Sequence, residues 1–176
     1  TSGLVTAERR GEAPETPELR RADAQLILAS LHATAEWERT TGRPPNVKPL
    51  RELVWFVWEQ PRLPRPLYRS KYPLSVPWTP AARAAYETGG AVSLEHVLPA
   101  AVLVRRLIAD PPANAAALVR ILRCIEYVVI APEDNRRLMD ARVGSKLPPG
   151  STDPWDRYRT AGLDLDTLAP IAVGSS

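Results

Sequence analysis

Proline sets the terms for this chain. Nineteen of its 176 residues are proline, about twice an ordinary usage of roughly 5%. Each one fixes φ and removes a backbone donor, so neither a central strand nor a helix interior accommodates it. Pro17, Pro49, Pro80, Pro99 and Pro132 each stand at the head of a helical pattern, where the missing N–H would have had no intrahelical partner. Five more, from Pro61 to Pro77, interrupt a single stretch. Short helices with firm starts are therefore expected, with little sheet.

The neighbouring residues agree. Thr16 is placed to cap a first helix whose apolar stripe runs Ala22, Leu26, Ala29, Ala33 and Trp37, expected to be the buried face, and Gly42 stops it. A second helix follows Pro49, with Leu50, Leu53, Val54, Val57 and Trp58 on its apolar side and Arg51, Glu52 and Glu59 elsewhere, and Pro61 ends it. Thr79 and Pro80 begin a short helix that stops near Gly89 and Gly90. Residues 91–97 alternate as a short strand, and Pro99 opens a helix through Val102, Leu103, Leu107 and Ile108. Asn114 caps the next helix, Tyr127 to Ile130 read as a β-branched strand, and Pro132 starts a helix over about 133–141. Beyond Gly144 the chain is loop-rich, with a helical turn near Trp155 and Tyr158.

This pattern implies a mostly helical α+β fold: a helical N-terminal half, then a small two-stranded element packed on helices. Residues 1–15 are expected to be a flexible leader, 16–90 a helical region with a Pro/Arg-rich arm, 91–142 a compact strand-and-helix region, and 143–176 an irregular tail. A single cysteine, Cys124, excludes an internal disulfide and is expected to be a small core residue rather than a nucleophile. No apolar run approaches the roughly 18 residues of a membrane span, and the start has no signal-peptide pattern. A cytoplasmic protein without a membrane partner is expected.

Net charge is only +3 with a pI near 9.3, but the charge is unevenly spread. Residues 60–86 contain Arg62, Arg65, Arg69, Lys71 and Arg83 and no acid, interleaved with Tyr68, Tyr72, Trp78 and Tyr86. Such a stretch can follow a phosphate backbone, with Tyr68, Tyr72 or Trp78 stacking on bases. It can equally be a solvated arm lying on the core through its aliphatic stems. Trp37, Trp55 and Trp58 lie in helical segments and are expected in the core.

The chemistry concentrates at Ser93-Leu94-Glu95-His96-Val97-Leu98-Pro99. It places a carboxylate beside an imidazole at a strand end, the two directed differently, and His96 has the side chain best suited to take a proton from water near neutral pH. His32, within the first helix, is expected to be structural or on the surface. Downstream, Tyr127-Val128-Val129-Ile130-Ala131-Pro132-Glu133-Asp134-Asn135-Arg136-Arg137-Leu138 reads as strand, tight turn and helix. Glu133 and Asp134 also suit any helix N-terminus.

Together these segments resemble the HNH, or ββα-metal, nuclease family. The resemblance implies His96 as general base, with Glu95 and Asn135 as ligands of a divalent cation. Hard oxygen donors would make that cation Mg²⁺ or Mn²⁺, and the implied reaction is phosphodiester hydrolysis. The partner would be nucleic acid, with DNA expected, in a setting such as bacterial restriction or defence. Arg62, Arg65, Arg69, Lys71, Arg136, Arg137 and Lys146 are the candidate phosphate contacts. Two alternatives stay open: a non-catalytic nucleic-acid-binding module, and a helical protein-interaction protein in which Glu95 and His96 are structural.

Overall fold

A computed structural model describes residues 15–63 and 73–171. Most of the expected elements are present. Helix α1 spans Pro17–Thr41. Thr16 Oγ1 accepts from Leu19 N at 3.1 Å, and Gly42 ends the helix at φ +66°, a left-handed conformation that glycine adopts without steric cost. Helix α2 covers Lys48–Val54 and runs on through a π-helical turn, Trp55–Glu59, and a 3₁₀ turn, Gln60–Arg62. Helix α3 is Pro80–Glu87, strand β1 is Ser93–His96, and helices α4 and α5 are Ala100–Ala109 and Ala115–Leu122. Strand β2, Tyr127–Ile130, leads into α6, Pro132–Asp140. Helix α7, Asp156–Thr160, and a 3₁₀ turn, Leu165–Thr167, close the described chain. The fold is a mostly helical α+β arrangement with a helical N-terminal half.

β1 and β2 pair antiparallel, with Glu95 opposite Val128 and His96 opposite Tyr127. Side chains alternate across a strand, so Ser93, Glu95, Val128 and Ile130 share one face of the ribbon. Leu94, His96, Tyr127 and Val129 share the other. Val128 and Ile130 lie in a cluster with Leu138 of α6 and Tyr158 of α7. Val129 packs with Trp78 and Ala82, so both ribbon faces are covered. The main core is separate, formed by α1, α2, α4 and α5 around Ile27, Leu31, Leu50, Trp58, Leu107 and Leu118. Among the described residues no helix is long and apolar enough to cross a membrane.

Several expectations are overturned here. The buried face of α1 is Ala24, Ile27 and Leu31. The Ala22-Leu26-Ala29-Ala33-Trp37 stripe faces outward, with Leu26 51% and Trp37 45% exposed. A helix carrying two apolar stripes can bury either, and α4 and α5 took the Ile27 side. Cys124 is exposed, because it lies just past the end of α5, where the chain turns toward β2. Trp58 is in the core as expected, and Trp55 is half-buried. Trp78 is fully buried, its indole N–H donating to the Pro73 carbonyl at 3.1 Å, and offers no stacking surface. Glu15, expected in the leader, instead pairs with Arg20 and Arg62.

Candidate functional site

The site is built where the π-helical turn meets the end of the ribbon. An α-helical continuation of α2 would set Glu59 away from the apolar side, as the sequence pattern suggests. The wider π turn changes the rotation per residue and places Glu59 beside Trp58 inside the fold, 4% exposed. Its Oε2 lies 2.6 Å from His96 Nε2, and the same oxygen accepts from the Tyr127 hydroxyl. A carboxylate has only acceptors to offer, so Nε2 carries a proton in this contact. Among the described residues Nδ1 has no hydrogen-bond partner, and the His96 side chain is 21% exposed.

The surroundings reinforce this arrangement. Tyr127 lies 5.2 Å from the imidazole, centroid to centroid, and Trp55 meets it edge-on at 6.2 Å. Burial first, then the Glu59 carboxylate, drives the Tyr127 phenol far above its ordinary range, so it remains a donor. Arg51 is exposed one helical turn before Trp55, close enough for its charge to act on Glu95.

Glu95 belongs to the opposite face. Its Oε2 is 3.4 Å from Nη2 of Arg157, a fully buried guanidinium on α7. Arg157 also donates to the Gly144 carbonyl at 2.7 Å and to the His96 carbonyl at 3.2 Å. Burial raises the Glu95 carboxyl above the usual range, and Arg157, His96 and Arg51 oppose that rise.

Asn135 is exposed on α6. Its neighbour Asp134 is buried and accepts from Ala131 N at 3.0 Å and Thr79 Oγ1 at 2.5 Å, tying the start of α6 to the start of α3. Thus Glu95 and His96 lie on opposite ribbon faces, and among the described residues no hydrogen bond joins the Asn135 side chain to either. Among the described residues no three His, Cys, Asp or Glu side chains group to hold a metal ion. The donor set implied for Mg²⁺ or Mn²⁺ does not fit: Glu95 and His96 face opposite sides of the ribbon, and Asn135 is exposed on α6.

The expected phosphate contacts divide three ways. Arg136, Arg137 and Lys146 are exposed. Arg62 is turned inward: it pairs with Glu15 and Asp23, donates to the carbonyls of Val57 and Trp58 and stacks on Trp58 at 4.1 Å. Arg65, Arg69 and Lys71, with Tyr68 and Tyr72, lie outside the described residues. Arg83, from the same basic stretch, donates to the carbonyls of Trp78 and Thr167. Sequence reasoning missed Glu59, Tyr127 and Arg157. The one available signal was an acid, Glu59, directly after the aromatic run Trp55-Phe56-Val57-Trp58. No protein-family model, curated protein or solved structure matches this chain.

Proposed function

We propose that the chain is a divergent HNH-like hydrolase of nucleic-acid phosphodiesters in which His96 is the general base. The observation that carries this reading is the 2.6 Å contact between His96 Nε2 and the buried Glu59 carboxylate, with Nδ1 left free among the described residues. A buried carboxylate behind an imidazole fixes its tautomer and stabilises the imidazolium that forms when the ring takes a proton. His96 Nδ1 accepts a proton from water as the water oxygen bonds to phosphorus, and the departing oxygen is protonated by solvent. Glu59 and Tyr127 are positioning residues. Trp55 supplies an aromatic surface for a base, and Arg51, Arg136, Arg137 and Lys146 supply phosphate contacts. No step is assigned to a cation, because the implied ligands do not fit one.

The test is cleavage of supercoiled plasmid, single-stranded DNA and RNA by the purified chain, with Mg²⁺, with Mn²⁺ and with chelator. His96→Ala is expected to abolish cleavage with an unchanged far-UV spectrum. Glu59→Gln is expected to lower kcat at least 10-fold and to displace the pH profile. Unchanged cleavage by His96→Ala, or none by the parent chain on any substrate, overturns the proposal.

A second reading, a non-catalytic nucleic-acid-binding module, is favoured by the Glu95–Arg157 pair, which ties up the carboxylate a nuclease would use. It predicts binding without cleavage, with affinity that falls steeply with salt and falls further when Arg136, Arg137 and Lys146 are neutralised. Undetectable or salt-insensitive binding would instead point to a protein-interaction role, with Glu95 and His96 structural.

A further inference from the structure

Helices α1 and α5 meet along an open groove of about 980 Å³. Leu28, Ala29, Ala115 and Val119 are its apolar lining. Leu28, Ala115 and Val119 are partly buried and pack against the main core, so the floor of the groove is the edge of that core reaching the surface. The two alanines, one from each helix, keep the space between them open.

The rim is cationic on both sides. Arg21 stands on α1, and Arg120 and Arg123 stand at the end of α5. All three are exposed, and among the described residues none of them has an acidic partner. No Asp or Glu lines the groove. A fourth arginine, Arg20, is already paired with Glu15 at 2.9 Å.

We propose that this groove holds an acidic amphipathic helix of a partner protein, with its apolar stripe on the floor between Leu28 and Val119 and its carboxylates against Arg21, Arg120 and Arg123. Charge is the first argument. Three unpaired guanidiniums around an apolar floor attract a partner with acidic flanks and repel one with basic flanks, and they set its orientation as it docks. Shape is the second argument. Along α1 the groove runs from Pro17 to His32, about 22 Å at 1.5 Å per residue, or about four turns of a docked helix. Ala29 and Ala115 let a third backbone approach to the usual 8–10 Å of helix packing, and the floor then continues the core that joins α1, α2, α4 and α5.

Nucleic acid matches the same surface poorly. No Phe, Tyr or Trp lines the groove to stack on a base, and an apolar floor offers nothing to a phosphate backbone. Glu59, His96 and Tyr127 do not line it either, so the proposal stands apart from the reading of the His96 site.

The probes are two synthetic peptides of about 16 residues, the length of the groove. Both carry Leu at helical three-and-four spacing, one with Glu on its flanks and the other with Lys, and binding to the full chain is read by fluorescence anisotropy. The Glu peptide is expected to bind saturably, and the Lys peptide about 10-fold more weakly or worse. Arg120→Glu/Arg123→Glu is expected to reverse that preference. Ala29→Trp, at an exposed position, fills the groove without changing its charge and is expected to weaken the Glu peptide about 10-fold with unchanged thermal unfolding. No saturable binding, or binding indifferent to Ala29→Trp, overturns the proposal. So does labelled single-stranded or duplex DNA that displaces the Glu peptide and is itself lost in Arg120→Glu/Arg123→Glu, which would assign the groove to nucleic acid. A concentration-dependent dimer in sedimentation that Ala29→Trp abolishes would assign it to a second copy of the chain and overturn the proposal as well.

Discussion

Replacing Arg157 by methionine keeps most of a buried side chain's volume while deleting a charge that three acceptors share. The guanidinium donates to two carbonyls, at 2.7 Å from Gly144 and 3.2 Å from His96, and charge-assisted bonds of this kind contribute about 1.5–3 kcal/mol each. The Glu95 contact is long, 3.4 Å, to a side chain that is one-third exposed, so it adds less than about 1 kcal/mol. Against these stands Arg157 Nε, buried without a hydrogen-bond partner among the described residues, whose removal returns about 1–3 kcal/mol. The expected net loss is about 3 kcal/mol, within reach of the 3–5 kcal/mol found when one partner of a buried pair is removed. In a chain of this size that lowers Tm by roughly 6–12 °C. Urea unfolding followed by circular dichroism measures it.

The sign of the pH dependence is also determined. Burial raises the Glu95 carboxyl in the folded protein, so the stability linked to its protonation is present below the unfolded value and lost as pH rises through the folded one. Without the Arg157 cation the folded value climbs further. The Arg157→Met defect should therefore grow from pH 4 to pH 7, and Glu95→Gln should flatten that growth while leaving most of the loss. A defect under 1 kcal/mol, or one that vanishes in the Glu95→Gln background, would refute the assignment of Arg157 to the carbonyls of His96 and Gly144.

Two further outcomes test the packing. Asp134→Ala removes the acceptor for Ala131 N and Thr79 Oγ1 and should cost about 2–3 kcal/mol, with Asp134→Asn milder, as read by chemical unfolding. Leu31→Ala, on the buried face of α1, should cost about 2–5 kcal/mol. Leu26→Ala, on the exposed face, should stay within about 0.5 kcal/mol. Equal losses at the two positions would mean that the orientation of α1 is wrong.

Sequence alone determined where most of the elements begin and which residues hold their ends. Thr16, Thr79 and Asn114 each cap a helix, with Leu19, Ala82 and Ala117 donating, and Pro17, Pro80 and Pro132 each occupy the first positions of one. The strand carrying Glu95 and His96 and the strand-to-helix run through Asn135 were legible for the same reason. Caps, fixed φ angles and strand alternation act over three or four residues, and that information is local. Tertiary structure decided which stripe of α1 was buried, because only the placement of α4 and α5 chooses between its two apolar stripes. It decided the site as well. Glu59 meets His96 across 37 positions and Tyr127 across 68, and Arg157 reaches Glu95 across 62. No periodicity spans such distances, and the π turn that brings Glu59 inside is a change of rotation that an α-helical pattern does not show. The reactive-looking pair Glu95-His96 was visible as adjacent letters. That its members face opposite sides of a ribbon, one toward a buried carboxylate and the other toward a buried guanidinium, follows from the pleat and from what each face packs against.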